Sequence, residues 1–206
     1  MVSVIAALAS LAMLASAALA GVLLAQWLAE RITRFEDGPQ PRDLNPLWAL
    51  IVVLALGVAL LLRHTPPLQF VYVALSSLPL VTAWYVDAKT GIVPDWCTLL
   101  PLAIVLVLVV RSGHWVSLYS ALVVFVPFAL SALFSRGRGM GWGDVKLATF
   151  CSTLVGMMAA LPAFAVACLI ATFASYRRDR GKTPIAFGPY LVVATFAAMA
   201  VTINVR

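Results

Sequence analysis

The sequence predicts an all-α fold: a polytopic membrane helix bundle of about eight transmembrane helices, with the N- and C-termini both on the outer side. Three observations lead there. Of 206 residues, 63% are hydrophobic and only 11% charged, against roughly 25% charged in a soluble domain. Mean hydropathy is +1.02, so lipid must solvate most of the chain, and a single membrane domain over 1–206 is expected. The charges gather in short clusters between long apolar runs. That clustering also excludes a nucleic-acid reading of the net charge of +6, because no basic face of a folded domain results.

The apolar runs mark spans at roughly 3–29, 47–62, 68–86, 97–111, 115–134, 145–158, 161–176 and 187–204. Several are at or below the ~17 residues that cross a bilayer untilted. The first run resembles a signal peptide, with Ala18-Leu19-Ala20 as a cleavage-like site. It lacks a basic start and outruns an h-region, so an uncleaved span is expected. Residues 30–46 read as a solvated cytoplasmic loop with three prolines and an Arg-Asp pair. Between Val145 and Tyr176, Gly156 and Leu161-Pro162 suggest a tight break dividing two spans, since proline is tolerated in a helix's first turn but not its interior.

Orientation follows from lysine and arginine. With the N-terminus outside, eleven of the fourteen cations fall on inner loops and only Arg63, Arg111 and Arg206 outside, as the positive-inside rule requires. Arg177, Arg178 and Arg180 read as anchors of that topology. Trp84, Trp96 and Trp142 fit an aromatic belt at the inner boundary. Every acidic residue also falls inside. Acidic residues contribute little to orientation, so their skew calls for another cause.

Two stretches carry candidate chemistry, within inner-face loops over 87–96 and 135–146. Asp87 ends the third span, where the helix macrodipole opposes a carboxylate; it is an ordinary loop aspartate or a functional one. Asp144 opens the sixth span, where an N-cap is the ordinary role. Gly137, Gly139, Gly141 and Gly143 alternate ahead of it, and glycine permits close approach of another backbone. Ionisable groups at membrane depth are functional candidates by default. If their helices are neighbours, the two carboxyls can share a proton and titrate as a unit. That is equipment for amide hydrolysis without a covalent intermediate.

Other hydrolytic chemistries fail on the residue list. A serine triad needs a histidine base, and His64 and His114 both map outside. No Gly-x-Ser-x-Gly elbow is present. Cys97, Cys151 and Cys168 form no C-x-x-C pair and read as packing residues. No metal site and no organic cofactor are expected.

Taken together, Asp87-x7-Asp95 with Pro94-Asp95, then Gly141-x-Gly143-Asp144-x-Lys146, then Thr183-Pro184-Ile185-Ala186-Phe187-Gly188-Pro189-Tyr190 resemble the type IV prepilin peptidases. These are GxGD membrane aspartyl proteases, alongside presenilin and signal peptide peptidase. The resemblance covers about residues 70–191. It implies catalysis by Asp87 and Asp144, with Gly141, Gly143, Lys146, Asp95, Pro94, Pro184, Gly188 and Pro189 shaping or supporting the site. It implies cleavage after the basic leader of a prepilin or type II secretion pseudopilin, at the cytoplasmic face of a bacterial inner membrane. The partners would be that substrate helix and membrane lipid.

Many family members also carry a domain with two C-x-x-C zinc pairs and N-methylate the new terminus. Those cysteines are not in this sequence, so the short form is the nearer match and methyl transfer is not expected. Two alternatives stand beside this reading: another GxGD protease of preflagellin type, or a non-enzymatic transport or assembly subunit. Against the latter, no aspartate lies mid-span, where transport sites sit. Asp95 also reads as the cap of the fourth span, and Lys146 as a topology anchor.

Overall fold

A computed structural model describes residues 4–35, 45–134, 140–179 and 185–202. Among them the chain forms eight helices and no strand: α1 (Val4–Phe35), α2 (Leu47–Leu62), α3 (Pro67–Thr90), α4 (Asp95–Ser112), α5 (Trp115–Phe134), α6 (Trp142–Val155), α7 (Met157–Asp179) and α8 (Gly188–Thr202). Helices are what an apolar solvent demands, because each peptide group must find its partner within the segment. α1, α3, α4, α5 and α7 are long and apolar enough to cross a membrane. α2 and α8 are shorter apolar helices. α6 has 14 residues, about 21 Å of helix, which is less than the ~30 Å hydrocarbon core.

Helix ends follow local chemistry. α3 opens with Pro67 in its first turn and stops at Gly91, whose φ of 72° is left-handed. The break expected between 145 and 176 is present, and its position differs from expectation. α6 ends at Val155, Gly156 makes the turn at φ 82° and ψ 157°, and α7 begins at Met157. Pro162 lies inside α7 and does not divide the segment. Prolines 79, 101 and 127 likewise sit within helices, which neighbouring helices allow in a membrane bundle.

The packing centres on α3, α6 and α8. α1 lies along α3, α5 and α4 flank α6, and α8 touches α2, α3, α6 and α7. Ten of the fourteen α6 residues are buried, which explains how so short a helix is held. Its polar side chains close on the backbone: Thr149 Oγ1 donates to the Val145 carbonyl at 2.7 Å, and Ser152 Oγ to the Thr149 carbonyl at 2.8 Å. Such bonds let hydroxyls sit in an apolar interior without water. At the far end, Ser120 of α5 ties the α6–α7 joint. Its Oγ accepts the Met157 N–H at 2.8 Å, and its carbonyl accepts the Ser152 hydroxyl at 3.3 Å. Large apolar side chains of α4, α5 and α7, such as Leu108, Leu122 and Leu169, are left on the outside, where lipid would solvate them.

Candidate active site

Asp87 lies in the last turn of α3 and is 3% exposed. The Gly91 N–H caps that turn by donating to the Asp87 carbonyl at 2.7 Å. The side chain is held from another helix: the Gly188 N–H, at the start of α8, donates to Asp87 Oδ2 at 2.8 Å. Contact is so close that a Cβ at position 188 would lie 2.7 Å from Oδ2 and 3.2 Å from the Asp87 Cβ. Gly188 therefore joins the third sequence stretch to the first, and its lack of a side chain is what admits the carboxylate.

Asp144 is the third residue of α6. The N-cap is Gly141, in extended conformation with no side-chain cap bond, so the ordinary capping role weighed for Asp144 is not the one it takes. Instead its carboxyl reaches back to the Gly141 N–H, the return half of a capping box. That bond favours the charged form. Burial outweighs it and pushes the Asp144 carboxyl up from 3.8 to about 6, because desolvation penalises charge. One oxygen remains open: Asp144 Oδ1 is buried and has no hydrogen-bond partner. A buried unpaired acceptor is costly.

The two carboxyls interact electrostatically, although 57 positions separate them in the chain. The segments carrying them also meet at Gly143 and Val93. A Cβ on Gly143 would stand 2.9 Å from the Val93 Cβ and 3.4 Å from its carbonyl oxygen. Pro94 is extended at the N-cap position of α4. Asp95 is the first residue of α4, one past the N-cap Pro94, so it does not hold the cap position expected of it. Its Oδ1 accepts from Lys146 Nζ at 2.5 Å. Lys146 therefore has a partner beyond the anchoring role read for it.

Pro189 follows Gly188 in the first turn of α8. Pro184, Gly137 and Gly139 lie outside the described residues, as does all of the stretch 135–139 of the expected loop. From Trp142 onward that expected loop is helical. Among the described residues, no three His, Cys, Asp or Glu side chains gather to hold a metal ion. Sequence reasoning missed Val93 altogether. The signal available was Gly143, whose missing side chain demanded a close neighbour without naming it.

This arrangement offers two interacting carboxyls, one held by a backbone amide and one with an open oxygen. Two such carboxyls can serve together as general acid and general base. The model of the type IV leader peptidase family matches residues 74–176. The chain is also 26% identical over 153 residues to a prepilin leader peptidase/N-methyltransferase of Dichelobacter nodosus, covering 70% of this chain and 53% of that protein. The chain thus spans about half the length of that curated relative. No solved structure matches.

Proposed function

The chain belongs to the type IV leader peptidase family, and on that premise we propose that it is an aspartic endopeptidase that removes prepilin or pseudopilin leaders. The observation that supports this reading is that the Asp87 carboxyl feels the charge of Asp144, in segments that approach closely at Val93 and Gly143. We assign both termini to the outside and the active site to the cytoplasmic face of a bacterial inner membrane. Support comes from the cation count, eleven of fourteen on the inner side under that orientation. The apolar helix of the substrate would lie beside the spans while its basic leader stays in the cytosol.

The chemistry needs one proton shared by two carboxyls. The ionised aspartate takes a proton from water as the oxygen attacks the scissile carbonyl carbon. The protonated aspartate donates to the carbonyl oxygen, whose electron pair moves out to form the tetrahedral intermediate. The C–N bond then breaks as the nitrogen receives the proton held by the first aspartate, and the carbonyl re-forms as its hydroxyl returns its proton to the second aspartate. The open Oδ1 of Asp144 supplies an acceptor for the attacking water. No covalent enzyme intermediate forms.

Purified protein in detergent should shift the mass of a prepilin by the mass of its leader. Asp87→Asn and Asp144→Asn should each abolish the shift while both variants stay folded. Cutting retained by either one would overturn the assignment.

A further inference from the structure

We propose that Asp95 and Lys146 are positioning residues whose ion pair sets the spacing between the segment carrying Asp87 and the helix turn carrying Asp144. The inference rests on the two-aspartate reading above and adds how that pair is kept in register.

Neither carboxyl is fixed by a bond that crosses between the two segments. Asp87 is held from α8 by Gly188, and Asp144 by Gly141 of its own turn. Their separation must therefore be set by contacts around them. Two such contacts join the Val93–Asp95 stretch to the first turn of α6. Gly143 pressed against Val93 is a steric stop, which limits how near the segments come and cannot hold them together. The Lys146–Asp95 pair supplies the attraction that closes the gap to that stop.

Both ends of the pair transmit position. Lys146 is two residues beyond Asp144 on α6, about 200° round the helix, so a pull on one face moves the other. Asp95 is joined to Asp87 by a stiff path. The Gly91 cap, the Ile92 N–H donating to Thr90 Oγ1 at 3.2 Å, and extended Pro94 leave little slack.

Energetics give this role a signature. The side chains are 27% and 64% exposed, and exposed ion pairs contribute only about 0–1 kcal/mol to stability. A misplacement of about 1 Å at a catalytic group, however, costs on the order of 100-fold in rate. Breaking the pair should therefore cost turnover far more than it costs the fold.

The test compares Lys146→Met, Asp95→Asn and the reversed pair Asp95→Lys with Lys146→Asp, using the full chain in detergent. Cleavage of a prepilin is measured beside the distance between spin labels on exposed Trp96→Cys and Trp142→Cys, with the three native cysteines replaced. Each single change should lower kcat by roughly 10–100-fold, with KM within about threefold and Tm within about 4 °C. Each should also broaden the distance distribution. The reversed pair should recover at least about tenfold of the loss and narrow the distribution again, since attraction survives the swap of sign. If Lys146 acted only through its local field on Asp144, the reversed pair would be the worst variant of all, and that result overturns the proposal. An unchanged distance distribution in both single variants overturns it as well. Should the unaltered protein fail to cut, the peptidase reading falls, and the distance measurement still decides the clamp.

Discussion

The two aspartates sit in opposite kinds of helix end. Asp87 occupies the last turn of α3, enclosed by its neighbours and gripped by an amide from α8. Asp144 occupies the first turn of α6, half-buried, with one oxygen bound within its own turn and the other open. At a helix C-terminus the macrodipole disfavours a carboxylate, while at an N-terminus it favours one. The residue in the hostile position is the one given a donor from a different helix. The residue in the favourable position keeps a free acceptor. The difference teaches that position along a helix does not decide how a carboxylate is held; the neighbouring helices do.

The comparison breaks most visibly at Gly188. A methyl group there would strike Asp87 Oδ2 at 2.7 Å, so Gly188→Ala should cut kcat/KM by on the order of 100-fold or more, measured as prepilin cleavage. Gly143→Ala should have an effect approaching that, on the order of 10–100-fold, because its new methyl meets the Val93 Cβ at 2.9 Å, an atom fixed to the backbone. Adding Val93→Gly, which removes that Cβ, should return part of that loss, and a double variant no better than the single would sink the steric account.

A third prediction concerns charge. The Asp144 carboxyl is raised to about 6 from 3.8, so the folded state holds its proton more tightly than the unfolded state. Between those values the native state binds more protons, and stability falls as pH rises. Asp144→Asn should accordingly raise Tm at pH 8 relative to the unaltered protein and give little gain at pH 4. An equal shift at both pH values would refute the burial argument. With Asp144 in its proposed role, the cleavage rate should also bend within about a unit of pH 6.

The smallest effect is expected at Gly141. A methyl there lies 3.6 Å from Asp144 Oδ2, an ordinary contact, and its backbone is extended. Gly141→Ala should cut within about threefold of the unaltered rate, since the N–H that binds Asp144 is retained and the loss at an N-cap is modest. Two glycines beside two aspartates would then differ by well over tenfold.

Helix number and most boundaries were readable because lipid imposes length and apolarity on every span. The runs 47–62 and 115–134 coincide with α2 and α5. The α6–α7 break was misplaced at one of its two markers because membrane helices keep proline inside when neighbours cover the gap, as at Pro162. The motif residues Asp87, Asp144, Gly143, Gly188, Asp95 and Lys146 were visible as types in a spacing, though not as partners. Asp95 and Lys146 each had a sufficient local explanation, cap and anchor, and local explanations conceal a pair 51 positions apart.

From its residues alone, this protein was bound to be a membrane-embedded set of helices with acidic groups gathered toward one face, since composition and charge pattern act on each segment separately. Only the packed structure decided that α8 would lend Asp87 its donor, that Val93 would stop Gly143, and that Asp144 would keep an oxygen open. Those outcomes depend on distances between segments remote in the chain, and no local preference encodes a distance.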